Sequence, residues 1–147
     1  MHVGAKSTFW KLNNISNFRK EDVILDIGGG TGRIAQFFVG KVKEVMVIDP
    51  AQKMIEQCKK HSGIKCILGS VEKLPFADKS INKIILVDVF HHLPDQIGAI
   101  LEMKRVLAEG GEIVMEEFNP LKFGGRLIIF FERMLKMGSR FYAPVNL

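Results

Sequence analysis

The chain has 147 residues, 47% hydrophobic and 25% charged, which suits one globular domain with a single core and excludes a wholly disordered chain. Its longest apolar runs, 84–87 and 127–131, fall far short of the roughly 20 residues that span a bilayer, and the first residues hold no apolar stretch of signal-peptide length. A cytoplasmic location is therefore expected. The net charge of +5 is unevenly spread: residues 118–147 carry Lys122, Arg126, Arg133, Lys136 and Arg140 against Glu132 alone, leaving a nearly neutral body. Cys58 and Cys66 make neither a C-x-x-C pair nor a metal-ligand spacing, so free thiols and no metal are expected.

In chain order, residues 1–20 form a helical N-terminal segment, followed by a buried strand at 23–27 (VILDI) that stops at Gly28, Gly29 and Gly30. A helix is expected over 32–39, with Ile34, Phe37 and Phe38 on its inner side. The run EVMVI at 44–48 is a second strand, closed by Asp49 and Pro50. A second helix covers 51–60, with Met54, Ile55 and Cys58 at helical spacing. Strands follow at 65–68 and 83–89, the latter apolar enough for the centre of a sheet. A helix over 95–107, with Pro94 ahead of it and Gly110 and Gly111 beyond, leads to a fifth strand at 112–116. The alternation predicts an α/β, Rossmann-like, doubly wound fold: a mainly parallel sheet between two helical layers, with ligand-binding loops along one edge.

The glycine-rich turn is the sharpest chemical signal. A dinucleotide fingerprint would need a third glycine where Arg33 or Ala35 stands, and a phosphate-binding Walker loop would need Lys and Ser or Thr after Gly32. What remains is D-x-G-x-G-x-G from Asp26 to Gly32. A carboxylate two residues before the first glycine repels a pyrophosphate and suits a cationic amine.

Four segments occur in order: VILDIGGGTG, VMVIDPAQKMIEQCKK, LGSVEKLPFADKSINKIILVDVFHHLPD and LAEGGEIVMEEF. Together they resemble the class I S-adenosylmethionine-dependent methyltransferases, in particular the small-molecule branch that includes the ubiquinone and menaquinone biosynthesis enzymes. The resemblance covers residues 21–118, the cofactor-binding core, and implies S-adenosylmethionine as cofactor with S-adenosylhomocysteine as product. It assigns the methionine end of the cofactor to Asp26 and to the backbone of Gly28, Gly29 and Gly30. Asp49, which lies 21 positions beyond Gly28, is assigned the ribose hydroxyls; Asp-Pro before a helix also reads as a helix start, and the two roles are compatible. Pro50 and Met54 are placed to line the adenine, although Met54 at helical spacing reads equally as core. Ser70, Val71 and Glu72 follow the third strand, with Ser70 standing where the family commonly has Asp. Asp88, near the end of the fourth strand, is assigned to the cofactor as well.

His91 and His92 follow the fourth strand, where cofactor meets acceptor in this fold. His92 is the candidate general base, since a neutral imidazole can take a proton from a hydroxyl; a structural role for both histidines is the competing reading. The sulfonium is already an activated donor, so alignment of donor and acceptor can suffice without a strong base. Nucleic acid is not expected as a partner, because no N-P-P-[FY] or D-P-P-Y tetrapeptide follows the fourth strand and the body lacks a basic groove. The implied acceptor is a small, apolar molecule. A non-catalytic, methyltransferase-like binding module is the alternative, and a nicotinamide dehydrogenase a more distant one.

Residues 119–147 read as a basic amphipathic tail or cap with a helix over 125–137. Beyond the fifth strand no further strand pattern is present, so the last two strands of the family are expected to be missing. The exposed sheet edge would then be covered by the tail, by a second copy in a homodimer, or by the rest of a longer product. Peripheral membrane contact through the tail is a further reading, with ordinary core packing as its competitor.

Overall fold

A computed structural model describes residues 2–116. The order is α1 (His2–Ile15), β1 (Val23–Ile27), a 3-10 turn (Ala35–Phe38), β2 (Glu44–Asp49), α2 (Gln52–Cys58), β3 (Ile64–Leu68), β4 (Ile81–Val87), a second 3-10 turn (Phe90–His92), α3 (Gln96–Val106) and β5 (Leu107–Glu116). All five strands are parallel, in the order β3-β2-β1-β4-β5. The order reverses at β1, which places a topological switch point between the loops after β1 and β4. The expected doubly wound α/β fold is present. The tail at 119–147, with its helix, its cap or dimer role and the question of two further strands, lies outside the described residues. No helix among the described residues is long and apolar enough to cross a membrane.

Side chains alternate across the sheet and build two cores. On one face Leu25, Ile27, Met46, Ile48, Ile84 and Leu86 pack with Ala99, Ile100 and Met103 of α3. On the other, Ile24, Val45, Val47 and Ile85 pack with Phe9 and Leu12 of α1, Phe38, and Ile55 and Cys58 of α2. The near-continuous apolar strands follow from burial on both faces. The lower end of α1 is pinned by Lys83, whose Nζ donates to Ser16 Oγ at 3.1 Å and pairs with Glu112 Oε2 at 2.7 Å.

Several boundaries differ from those read off the sequence. The helix expected over 32–39 is only a 3-10 turn, because Val39 leaves helical geometry at ψ 128° just ahead of Gly40. Strand β4 runs Ile81–Val87 rather than 83–89, because Asp88 takes a left-handed conformation (φ 55°) that no strand tolerates. Strand β5 begins directly after α3 rather than at residue 112: one residue of β4, Asn82, stands against four of β5, 108–111, between the pairs Ile81↔Leu107 and Lys83↔Glu112. The glycine pair that reads as a loop is thus a bulge inside the strand. Helix α3 starts at Gln96 because Asp95 caps it, accepting from the Gly98 N–H at 2.8 Å. The free-thiol expectation is also corrected: Cys58 and Cys66 form a disulfide, with Cα atoms 6.0 Å apart. Packing of α2 beside β3 brings them within bonding reach, which a sequence separation of 8 does not reveal.

The loop between β3 and β4 has no helix and is held from outside. Arg105 of α3 donates to the carbonyls of Phe76 and Leu74 at 2.8 and 2.9 Å and pairs with Asp78 and Glu102. Glu102 in turn accepts from the Leu74 N–H at 2.8 Å. Hydrogen bonds from the guanidinium hold the Glu102 carboxyl below its ordinary range; burial opposes this and the Leu74 N–H adds to it. Arg105→Ala should therefore free residues 74–78, seen as faster amide exchange there and a lower melting temperature. Arg105→Lys should not restore protection, since a single ammonium cannot reproduce the planar fork; full protection in the lysine variant would refute the assignment.

Candidate active site

The C-terminal ends of β1, β2 and β4 open onto one cavity of about 390 Å³, within the range of small-ligand sites. Its wall includes Gly28, Asp49, Pro50, Ser70, Val71, Glu72, Asp88 and His92. Eight of the residues singled out in the sequence are thereby brought together. Asp26, Gly29, Gly30 and Met54 do not line it. Met54 is 43% exposed, so the core reading for it is wrong; its sulfur lies 3.9 Å from where a Gly30 Cβ would stand, at the rim of the glycine turn.

Gly28 is needed on two counts. Its φ is +66°, and a Cβ there would stand 2.6 Å from Val89 Cγ2. Its N–H donates to the Ile48 carbonyl at 2.8 Å, closing the turn onto β2. Gly30, at φ +58°, has room for a Cβ but not the conformation for one; its N–H donates to Asp49 Oδ2 at 3.1 Å.

Asp49 is 9% exposed, and its second oxygen accepts from the Ala51 N–H at 2.8 Å. The helix itself is capped at Ala51 without a side-chain bond, so the carboxylate makes a turn to the residue two on and a bridge to the glycine loop rather than a helix cap. Each carboxylate oxygen keeps further acceptor capacity, which is what two vicinal hydroxyls require. Pro50 and Val71 give the neighbouring wall an apolar character.

Asp26 is the exception. It is 2% exposed, and its Oδ2 has no hydrogen-bond partner. A Gly29 Cβ would stand 2.6 Å from that oxygen, so the turn is wrapped tightly over the carboxylate. Burial raises its pKa from 3.8 to about 7; Arg33 opposes this and Asp49 adds to it. A cation seated over the glycine turn would favour the ionised form. The donor set therefore fits S-adenosylmethionine: a buried carboxylate with an open oxygen below the turn, hydroxyl acceptors on Asp49, and apolar walls.

On the β4 side, Asp88, His91 and His92 lie in one turn. His91 Nδ1 is 3.6 Å from Asp88 Oδ1, and the two imidazole rings are 3.8 Å apart. Their backbone is fixed by Phe90, fully buried, whose carbonyl accepts from Gln96 Nε2 at 3.0 Å. Cavity-lining residues that the sequence reading passed over are Ile27, Ile48, Gly69, Val89, Leu93 and Pro94. All six lie inside the four segments quoted above, within two positions of a residue singled out there, and that adjacency is the signal that could have found them.

A methyltransferase-domain family model matches residues 25–115. The chain belongs to the class I S-adenosylmethionine-dependent methyltransferases. An uncharacterized methyltransferase of Schizosaccharomyces pombe, C1B3.06c, is 34% identical over 117 residues, spanning 70% of this chain and 42% of that protein. The ubiquinone/menaquinone biosynthesis C-methyltransferase UbiE of Neisseria meningitidis is 32% identical over 116 residues, 74% of this chain and 47% of the relative. The structure of YcgJ from Bacillus subtilis superposes with a TM-score of 0.70 at 26% identity, over 80% of this chain and 54% of that one. The chain spans less than half the length of these curated relatives.

The pH dependence of this methyltransferase domain follows from Asp26. Because its folded pKa lies above 3.8, the folded chain holds a proton there that the unfolded chain has released. Stability from this group therefore falls as pH rises from about 4 to about 7 and is level above that window. Asp26→Asn should flatten that slope and raise the melting temperature at about pH 7.5. It should also weaken S-adenosylhomocysteine binding by about tenfold or more. Denaturation series across the window check the first outcome; an unchanged slope in the variant would exclude Asp26 as the titrating group.

Proposed function

We propose that this chain binds S-adenosylmethionine in the cavity described above and supports transfer of its methyl group to a small-molecule acceptor. The observation that carries this reading is the Asp49 carboxylate. It stands at the end of β2 on the cavity wall, held by the Gly30 and Ala51 N–H groups with acceptor capacity to spare. Under this reading Asp49 receives the ribose hydroxyls, Pro50, Ser70, Val71 and Glu72 surround the base, and Gly28 lets the chain approach the sulfur-bearing part. Asp26, beneath Gly29, acts on the amino end through its charge, since it does not reach the cavity. The bound cofactor supplies an electrophilic methyl on a sulfonium.

The acceptor enters from the side of Asp88 and His92. His92 is exposed and lines the cavity, which suits removal of a proton from a hydroxyl or an acidic carbon. The name of the Neisseria relative, a ubiquinone/menaquinone biosynthesis C-methyltransferase, supports a small-molecule acceptor. A cytoplasmic location accords with such a substrate, while the Cys58–Cys66 bond is the feature that argues against a reducing compartment.

Calorimetric titration tests the reading. S-adenosylhomocysteine should bind with one site per chain, about 30-fold or more weakly in Asp49→Ala, because the variant loses a charged acceptor and unties the glycine turn. Gly28→Val should abolish binding through its clash with Val89. A well-folded sample that binds neither S-adenosylmethionine nor S-adenosylhomocysteine would overturn the proposal. Binding without turnover on any quinol or phenol acceptor would favour a non-catalytic binding module.

A further inference from the structure

Asp88, His91 and His92 do more than border the cavity. One donor atom from each lies within 4.8 Å of the other two. The closest measured pair, His91 Nδ1 to Asp88 Oδ1 at 3.6 Å, is too long for a hydrogen bond. Around a first-row metal with bonds of about 2.1 Å, neighbouring ligand atoms are about 3.0–3.4 Å apart. The pair thus stands near the spacing of two ligands on a shared ion, and the exposed His92 offers a third donor atom within 4.8 Å of both.

The backbone beneath these side chains is fixed. Asp88 adopts φ 55°, which aspartate tolerates better than most residues, and its N–H donates to the Glu116 carbonyl at 2.7 Å. The His92 N–H donates to the Val89 carbonyl at 3.0 Å, and Phe90 anchors the turn in the core between them. Three potential ligands therefore project from a short, well-held segment, as a preorganised site requires. Two imidazoles and one carboxylate suit Fe, Co, Ni or Zn far better than Mg or Ca, which prefer an all-oxygen shell.

We propose that Asp88, His91 and His92 bind one divalent transition-metal ion, and that its open positions face the cavity to receive an oxygen of the methyl acceptor. This departs from the sequence reading, in which no metal is expected; the consecutive histidines and an aspartate three residues earlier become a site only through the turn after β4. Ion binding stands on the three side chains alone, while the acceptor role rests on the methyltransfer reading above. An ion there would fix the acceptor oxygen and ease release of its proton to solvent, in place of direct proton removal by His92, whose ring would then be a ligand.

The test uses the full chain stripped with a chelator and titrated with Co²⁺ in the absence of nucleoside. One equivalent should bind, with visible d–d bands that shift when azide is added to the open positions. His92→Ala, on the exposed ligand, should fold normally by circular dichroism and lose about tenfold or more in Co²⁺ affinity. His91→Ala should do the same, and His61→Ala should bind as the unaltered chain does. Absence of a stoichiometric Co²⁺ site, or equal affinity in His92→Ala, would overturn the metal proposal and leave the methyltransfer reading intact. Saturable bands that azide does not move would overturn the acceptor role. Co²⁺ binding in a chain that does not bind S-adenosylhomocysteine would instead remove the methyltransfer reading and keep the ion site.

Discussion

The carboxylate of Asp49 holds the site together. One oxygen takes the N–H of Gly30, the other that of Ala51, and the carbonyl of the same residue takes the N–H of Gly69 at 3.1 Å. Three loops, those after β1, β2 and β3, therefore meet on a single residue. They can do so because the strands are parallel and in register, with Ile27 beside Ile48 and Asp49 beside Leu68. Antiparallel neighbours would have sent these loops to opposite ends of the sheet. The charge of Asp49 is nearly buried, yet each oxygen has an N–H partner, so desolvation is offset by charge-assisted hydrogen bonds. The same bonds leave lone pairs facing the cavity.

Asp26 shows the opposite arrangement, a buried carboxyl with an open oxygen, and it is costly to the fold. On purely structural grounds an apolar residue would serve better on that face, between Val47 and Ile85 in register. Its neighbours explain why the charge is held back rather than satisfied. Gly29 lies so close over it that even a Cβ there would stand 2.6 Å from its Oδ2, and Asp49 nearby disfavours a second negative charge. A cation seated over the turn changes that balance by favouring the ionised form. Stability and ligand affinity thus draw on the same group in opposite directions, as they commonly do at functional sites.

Much of this was legible in the sequence because the decisive signals were local. The VILDI and EVMVI runs, broken by glycines and by Asp-Pro, carry both a strand and the loop that ends it, so Gly28, Asp49 and Pro50 could be placed at the edge of a sheet before any coordinates. The segment from Ser70 to Glu72 was likewise placed by its position after the third strand. What escaped notice depended on tertiary contacts. Asp88 ends β4 through a backbone conformation that residue type only permits. The pairing of Cys58 with Cys66 depends on how α2 lies against β3. The bulge in β5 hides behind a glycine pair that reads as a loop. Asp26 is assigned to the ligand by its motif, but its burial under Gly29 depends on the path of the glycine turn, which the residue types alone do not fix.

The position of the switch point divides the cavity into two parts of different construction. Asp49, Pro50, Ser70, Val71 and Glu72 come from the loops after β2 and β3, and these are tied to the glycine turn by Asp49. Asp88, Val89, His92, Leu93 and Pro94 come from the loop after β4, which is tied to β5 through the Asp88 N–H and to α3 through Gln96. The two sides meet at Gly28, where Val89 fills the space a side chain would need. Among the described residues the hydrogen bonds that anchor the two walls run to different elements, so the effects of substitutions confined to one wall and away from that contact should be close to additive. Under the proposed function, the wall built on β2 and β3 is the one that meets the cofactor and the wall built on β4 the one that meets the acceptor. At Gly28, which Val89 crowds, a change in one wall is felt by the other.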